Sequence, residues 1–493
     1  MDGRAHCYVD TGEVPLRQLI RQSDWLPLLL ILLVGAALRV ARLNQPMRYD
    51  ESLTFISFAS RPLSVGLATY SEPNNHLFHT LLVHLTTLFG TQYREWLVRL
   101  PAFLAGLAVV PVTYLLGAKL YRREVGLVAA AFTSASAPLI EYSTNARGYS
   151  LVTLLFLLLW LVSIQVILQP KLKNWLLFSI IATLGFYTIP TMLYGFGMVV
   201  VWLAASLLLR YRRIAVLRGL VAVVGLTLTL TFLLYLPVFL TSGIEAVVAN
   251  RFVAPLAWDN FLTELPKSLI RTWETWNSYL VQPLPILLLI GALGSVLLHR
   301  RIGQYPVPIL PVVLLCCAMM LVIQRVAPYP RVWLFLLPLY AICAEAGWVA
   351  LLRLKRTWAS ALALVLALLM SINLPIHASI NYFDEAGAED NAEDVAIYVK
   401  GLASAGQGTI QVLPPSPTLQ FYFRKYGLSW KLFAPSVDAF EAETVLLLVN
   451  TPEYTLERLT RLLQEYGADF SGYTSPKLVQ SFPFVEIYSF RKL

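Results

Sequence analysis

The chain has 493 residues, of which 57% are hydrophobic and only 14% charged. Soluble domains carry about a quarter charged residues, so this composition excludes a soluble globular enzyme and describes a polytopic membrane protein. The net charge of +9 does not point to nucleic acid, because the basic residues fall in short clusters between apolar runs and form no basic–aromatic surface pattern.

A membrane-spanning helix needs about 17–25 mostly apolar residues. Runs of that kind are predicted at 25–43, 97–118, 124–141, 148–168, 174–189, 191–209, 214–239, 284–298, 306–324, 331–351 and 357–374, which makes eleven. Residues 1–24 are polar, hold Arg4, Arg17 and Arg21, and are read as a cytoplasmic tail before an anchoring first span. With that end inside, the cytoplasmic connections carry the basic clusters: Lys119/Arg122/Arg123, Lys171/Lys173, Arg210/Arg212/Arg213, Arg300/Arg301 and Arg353/Lys355/Arg356. The apolar segment 75–89 is short and holds His76, His79 and His84. Counting it as a span would move every later basic cluster outside, so it is expected to be an interfacial helix. A second such helix is expected at 50–60, with Leu53, Phe55, Ile56 and Phe58 among polar neighbours. The outer loop 44–96 then consists of two in-plane helices, and a Trp-rich outer loop at 240–283 rests at headgroup level.

The transmembrane domain is thus expected over 25–374 and a different unit over 375–493. There an acidic run (Asp384, Glu385, Glu389, Asp390, Glu393, Asp394) precedes a helix at 391–404. A strand at 409–413, a helix near 418–426, a strand at 444–450, a helix at 452–466 and a strand at 484–490 follow. This alternation predicts a small extracytoplasmic α/β domain. Cys7 lies in the tail, and Cys316, Cys317 and Cys343 in apolar runs, so no disulfide framework or zinc site is expected.

Ionisable groups at a membrane boundary are costly unless paired or functional. Four clusters meet that description on the expected outer face: Asp50–Glu51, Asn74-Asn75-His76, the turn from Glu141 through Asn145 to Arg147, and Tyr329-Pro330-Arg331. A carboxylate can act as general base towards a hydroxyl attacking a strong electrophile, and the arginine fork matches phosphate oxygens. The plain alternatives are a solvated loop with a helix cap at Asp50–Glu51, headgroup anchors at Arg147 and Arg331, and a helix-start polar residue at His76. Nucleotide-activated donors are cytoplasmic, so a transferase on the outer face needs a donor already in the membrane.

Four stretches in this order carry a resemblance: Arg-Tyr-Asp-Glu-Ser-Leu-Thr (48–54), Asn-Asn-His-Leu-Phe-His-Thr-Leu-Leu (74–82), Arg-Leu-Pro-Ala-Phe-Leu-Ala-Gly (99–106) and Tyr-Ser-Thr-Asn-Ala-Arg-Gly-Tyr-Ser-Leu (142–151). Together they resemble the bacterial branch of the dolichyl-phosphate-mannose–protein mannosyltransferase superfamily. These are membrane glycosyltransferases of the GT-C fold, a group that includes the aminoarabinose transferase acting on lipid A. The likeness is strongest over 25–170 and weak after 374. It implies an all-α polytopic GT-C protein with about eleven transmembrane helices and a small α/β C-terminal domain. Asp50 would be the base and Glu51 its helper. Arg147, Arg331 and Tyr329 would bind the donor phosphate, and His76, Glu141 and Asn145 the substrates. Leu77 stands where relatives have the first proline after the histidine, and Asn145 where many have an acid.

The implied reaction is an inverting transfer of a sugar from a polyprenyl-phosphate carrier to a hydroxyl of a lipid, polysaccharide or protein, at the outer face of the bacterial inner membrane. It requires no cofactor, and a divalent metal is compatible with it without being implied. The rival is a transporter or flippase of lipid-linked sugars, whose marks would be inverted repeats and mid-membrane broken helices. The charges instead gather at one face, and no repeat is evident.

Overall fold

The computed structural model describes residues 22–88, 93–211, 217–248, 254–376, 391–404, 409–428, 442–451 and 453–493. The acidic residues Asp384, Glu385, Glu389 and Asp390, and Cys7, lie outside them. The protein is mostly helical and divides into two compact units. One comprises Met1–Leu43, Leu67–His79 and Arg99–Ile380, the other Asn44–Gly66, Thr80–Val98 and Asn381–Leu493.

Each predicted span but 124–141 overlaps one long helix: Gln22–Val40, Glu95–Leu120, Tyr149–Leu168, Leu172–Thr188, Met192–Tyr211, Leu217–Ser242, Leu284–Leu297, Ile309–Gln324, Leu337–Leu351 and Arg356–Ile376, with Arg123–Ala135 covering only the first part of 124–141. Among the described residues, five helices are each long and apolar enough to cross a membrane, and a bent pair would make a sixth. The protein is an integral membrane protein.

That bent pair corrects the expected single span at 124–141. The chain turns by 61° between Arg123–Ala135 and a second helix, Ala137–Ser143. Pro138 has no N–H to give the carbonyl of Ser134, which a continuous helix would require. Arg39, fully buried on the first helix, supplies the missing donor: its Nη1 donates to Ser134 O at 2.7 Å and its Nε to Ser143 Oγ at 2.8 Å. Gly106 lets another helix approach the same point, since a Cβ there would lie 2.2 Å from the Cβ of Ser143. Elsewhere in the first unit, Asp24 (4% exposed) binds Arg356 at 2.7 Å and accepts from the Tyr114 hydroxyl at 3.0 Å. Three chain segments are thereby joined.

The expected headgroup loop at 240–283 is largely a helix, Trp258–Asn277. Apolar side chains recur at 258, 262, 265, 269, 273 and 276, the spacing of one helical face, and Trp258, Leu262, Leu269 and Trp273 are exposed.

In the second unit, four strands form a sheet in the order β1-β2-β4-β3, with β1 Ile410–Leu413, β2 Thr444–Asn450, β3 Lys477–Phe482 and β4 Val485–Arg491. β1 and β2 are parallel, the other pairings antiparallel. Leu413, Val445, Leu447, Leu459, Leu463 and Phe490 form its core. The sequence had not signalled β3, whose side chains are mostly exposed and whose pairing is irregular between Leu478 and Gln480. The helices Pro417–Lys425 and Leu456–Glu465 start from Ser416 and Thr455, whose hydroxyls accept backbone N–H groups of Leu419 and Arg458. Two parts of the first outer loop, within Asn44–Gly66 and Thr80–Val98, belong to this unit. Tyr49–Thr54 is an α-helix that runs into a wider turn over Phe55–Ala59. Phe55, Ile56 and Phe58, read from the sequence as an interfacial face, are buried. Phe55 stands edge-on to Tyr93 and Phe421 at 5.6 and 5.7 Å.

Candidate active site

The predicted site residues fall in both units: Asp50 and Glu51 in the second, the other six in the first. Arg48 is extended and begins the Tyr49–Thr54 helix, which puts Asp50 and Glu51 in the first turn, where negative charge offsets the unpaired N–H dipoles. The two acids then part company. Glu51 is fully buried, and its Oε1 accepts the backbone N–H of Arg48 at 2.9 Å, the back-reaching half of a capping box. Asp50 is only half-buried. Adjacent helical positions point about 100° apart, so one carboxylate secures the helix start while its neighbour remains accessible.

In the first unit the Ala137–Ser143 helix carries Glu141 in its last turn and ends at a tight turn that carries Asn145 and Arg147, all three buried. Arg147 donates to Asn74 Oδ1 at 3.1 Å and lies over the Tyr149 ring at 5.6 Å. The next residue, Gly148, gives its N–H to His76 Nδ1 at 2.8 Å. Glycine is needed there, because a Cβ would meet Thr188 Cγ2 at 2.7 Å and His76 at 3.1 Å. Since Nδ1 accepts, the proton of the neutral ring sits on Nε2, which is thereby a donor. Burial, and then the charges of Arg147, His79 and Arg331, hold the imidazole well below its usual pKa, so it stays neutral. His76, Arg147 and Arg331 therefore share one electrostatic neighbourhood. Arg331 stacks on Tyr329 at 4.8 Å. Asn145 Oδ1 is buried with no hydrogen-bond partner.

Two further contributors escaped the sequence reading, whereas Asn74 already belonged to its second cluster. Asn74 orients Arg147. The buried phenol of Tyr70, pushed up to about 12 by burial and by Tyr149, remains a hydroxyl donor. A pocket of about 210 Å³ between the Trp258–Asn277 helix and Tyr329 adds Lys267 and Arg271. The helical spacing of those two cations with Glu264 (2.8 Å from Lys267) was the available signal. Among the described residues no group of three or more His, Cys, Asp or Glu side chains is placed to hold a metal ion, and Cys316, Cys317 and Cys343 are free thiols.

Residues 76–235, which include this turn and His76, match the family of dolichyl-phosphate-mannose–protein mannosyltransferases. The fold is similar to that of ArnT from Cupriavidus metallidurans in its apo state, with a TM-score of 0.58 at 13% identity over 95% of this chain and 98% of that one. It is similar to the same protein bound to undecaprenyl phosphate, with a TM-score of 0.59 at the same identity and coverage. The chain thus has an ArnT-like GT-C fold and, over residues 76–235, is similar to the mannosyltransferase family. No curated protein sequence matches it significantly. The matched segment holds His76, Glu141, Asn145 and Arg147, whereas Asp50, Glu51, Tyr329 and Arg331 lie outside it.

Proposed function

We propose that the chain is an inverting glycosyltransferase that moves a sugar from a polyprenyl-phosphate carrier to an acceptor hydroxyl, at the extracytoplasmic face of the bacterial inner membrane. The observation that carries the reading is the division of labour in the acid pair: Glu51 is buried and capping, Asp50 half-buried and reachable. The ArnT structure with undecaprenyl phosphate supports the class of donor. The Lys and Arg clusters of the short connections support the orientation.

The acceptor oxygen attacks the anomeric carbon as the bond from that carbon to the phosphate oxygen breaks. The bonding pair leaves with polyprenyl phosphate, and the hydroxyl proton passes to Asp50. A phosphate monoester leaves without protonation, so one carboxylate suffices. Attack from the face opposite the leaving group inverts the centre. Arg147, Arg331 and Tyr329 bind the phosphate and stabilise its growing charge. Neutral His76 offers Nε2–H to a substrate oxygen, and Glu141 and Asn145 offer acceptors for sugar hydroxyls. Glu51 positions Asp50 by fixing the helix start.

The test is transfer in proteoliposomes from a panel of polyprenyl-phosphate sugars, by the native chain and by Asp50→Asn. The variant is expected to fold, to bind donor lipid, and to lose turnover by about 100-fold or more, the scale of a removed general base. Near-native turnover would refute the assignment of Asp50.

A further inference from the structure

The helix that carries Asp50 is fastened at its head by a residue 375 positions later in the sequence: the Tyr422 hydroxyl accepts the backbone N–H of Met47 at 2.8 Å. We infer that Tyr422 is a positioning residue for the acid pair, through which the C-terminal segment sets the geometry of the base. The inference rests on the proposed role of Asp50.

Both partners of this bond are buried, Met47 1% exposed and Tyr422 fully enclosed. The next N–H along, that of Arg48, goes to Glu51. Two successive backbone donors at the head of the helix are therefore fixed, one by the acid pair itself and one by the distant phenol. The phenol is held firmly in turn. It belongs to the Pro417–Lys425 helix, whose start is set by the Ser416 cap, and its ring meets Phe421 edge-on at 5.3 Å. Phe421 lies against Phe55, one turn beyond Glu51. A second attachment of the same helix runs through Lys425, whose ammonium also lies 5.2 Å from the centre of the Tyr422 ring but does not touch the Met47 bond. Lys425 binds Glu95 at 2.6 Å and Glu393 at 2.7 Å, residues outside the 47–51 segment. Loss of the hydroxyl would leave the Met47 N–H without that acceptor in a place closed to water, whereas loss of the ammonium would weaken attachment and leave the head of the helix as it is.

Tyr422→Phe and Lys425→Met in the full chain distinguish positioning from attachment. In detergent micelles, hydrogen exchange at the Met47–Glu51 amides is expected to quicken about tenfold in Tyr422→Phe and to stay native in Lys425→Met. In proteoliposomes with the same panel of donor lipids, Tyr422→Phe is expected to lose about tenfold in kcat at unchanged donor KM. The acid limb of its pH profile, which reports the base, should move as well. Lys425→Met should keep kcat per folded molecule and the native acid limb. Native exchange or native kcat in Tyr422→Phe overturns the inference, as does identical behaviour of the two variants. Asp50→Asn is run alongside: if it turns over normally, the reading of Asp50 fails and the inference with it. If it is inactive while Tyr422→Phe is native, only the inference fails.

Discussion

Replacing Glu51 by alanine and Asp50 by asparagine should separate stability from turnover within two adjacent residues. Glu51 is enclosed and its Oε1 holds the Arg48 N–H at 2.9 Å. Alanine removes a helix-start hydrogen bond and leaves a buried donor without that acceptor, at a cost of about 2 kcal/mol. A cooperative unit of 150–250 residues shifts its Tm by about 2–4 °C per kcal/mol, so the expected fall is about 4–8 °C. Glu51→Gln retains an acceptor oxygen and should fall less. Asp50→Asn loses only a half-buried charge in the first helical turn, about 0.5 kcal/mol, hence about 1–2 °C. Thermal melts in detergent are paired with turnover in proteoliposomes. Glu51→Gln should keep most of its activity per folded molecule and Asp50→Asn almost none. Loss of activity in Glu51→Gln equal to that in Asp50→Asn, at a native melting temperature, would show that Glu51 takes part in the chemistry and refute the division drawn here.

The buried, neutral His76 makes stability depend on pH. Its folded pKa lies well below that of the unfolded chain, near 6.5. Above about pH 6.5 neither state binds the proton and the group contributes nothing to the slope. As pH falls below that value the unfolded chain binds a proton the folded chain refuses, and stability drops by up to about 1.4 kcal/mol per pH unit. His76→Asn, whose Oδ1 can still accept from Gly148, should flatten the slope of Tm between about pH 6.5 and 5, and an unchanged slope would contradict the assignment. Arg147→Met should weaken polyprenyl-phosphate binding about tenfold or more, the worth of a charge-assisted contact; titration with the lipid phosphate reads this directly, and native affinity would remove Arg147 from the phosphate site. Asp24→Asn should cost about 2 kcal/mol, a buried carboxylate paired with partly exposed arginines, with kcat per folded molecule unchanged; a native melting curve would show the cluster to be idle.

The apolar runs announced the helices because a bilayer demands continuous hydrophobic length. The break at Ser136 was less plain. Pro101, Pro111 and Pro237 lie inside unbroken helices, so a proline alone does not mark a kink. What separates Pro138 is Arg39, a donor from another helix that satisfies the freed carbonyl. At the acid pair, the residues were legible and their unequal burial was not. The apolar side chains of 50–60 read equally well as membrane-facing or core-facing, and the choice depended on Phe421 and Tyr422, remote in sequence. The helix at Trp258–Asn277 was hidden by its tryptophans, which drew attention to the membrane surface at the expense of their helical spacing.

The bond between Arg39 and Ser134 spans 95 residues, and that between Arg39 and Ser143 spans 104. During synthesis, the first hydrophobic segment therefore leaves the ribosome with a guanidinium whose acceptors have not yet been made. An arginine inside a lone membrane helix costs about 2.5–3.5 kcal/mol on insertion scales, and this one stands in the last turn, from which it can reach the aqueous boundary. Only when the third hydrophobic segment arrives and its freed carbonyl meets this donor can the arginine withdraw into the bundle. The same contact that shapes the turn bearing Arg147 thus sets an order of assembly, in which the early helices wait on a later one to become fully apolar to their surroundings.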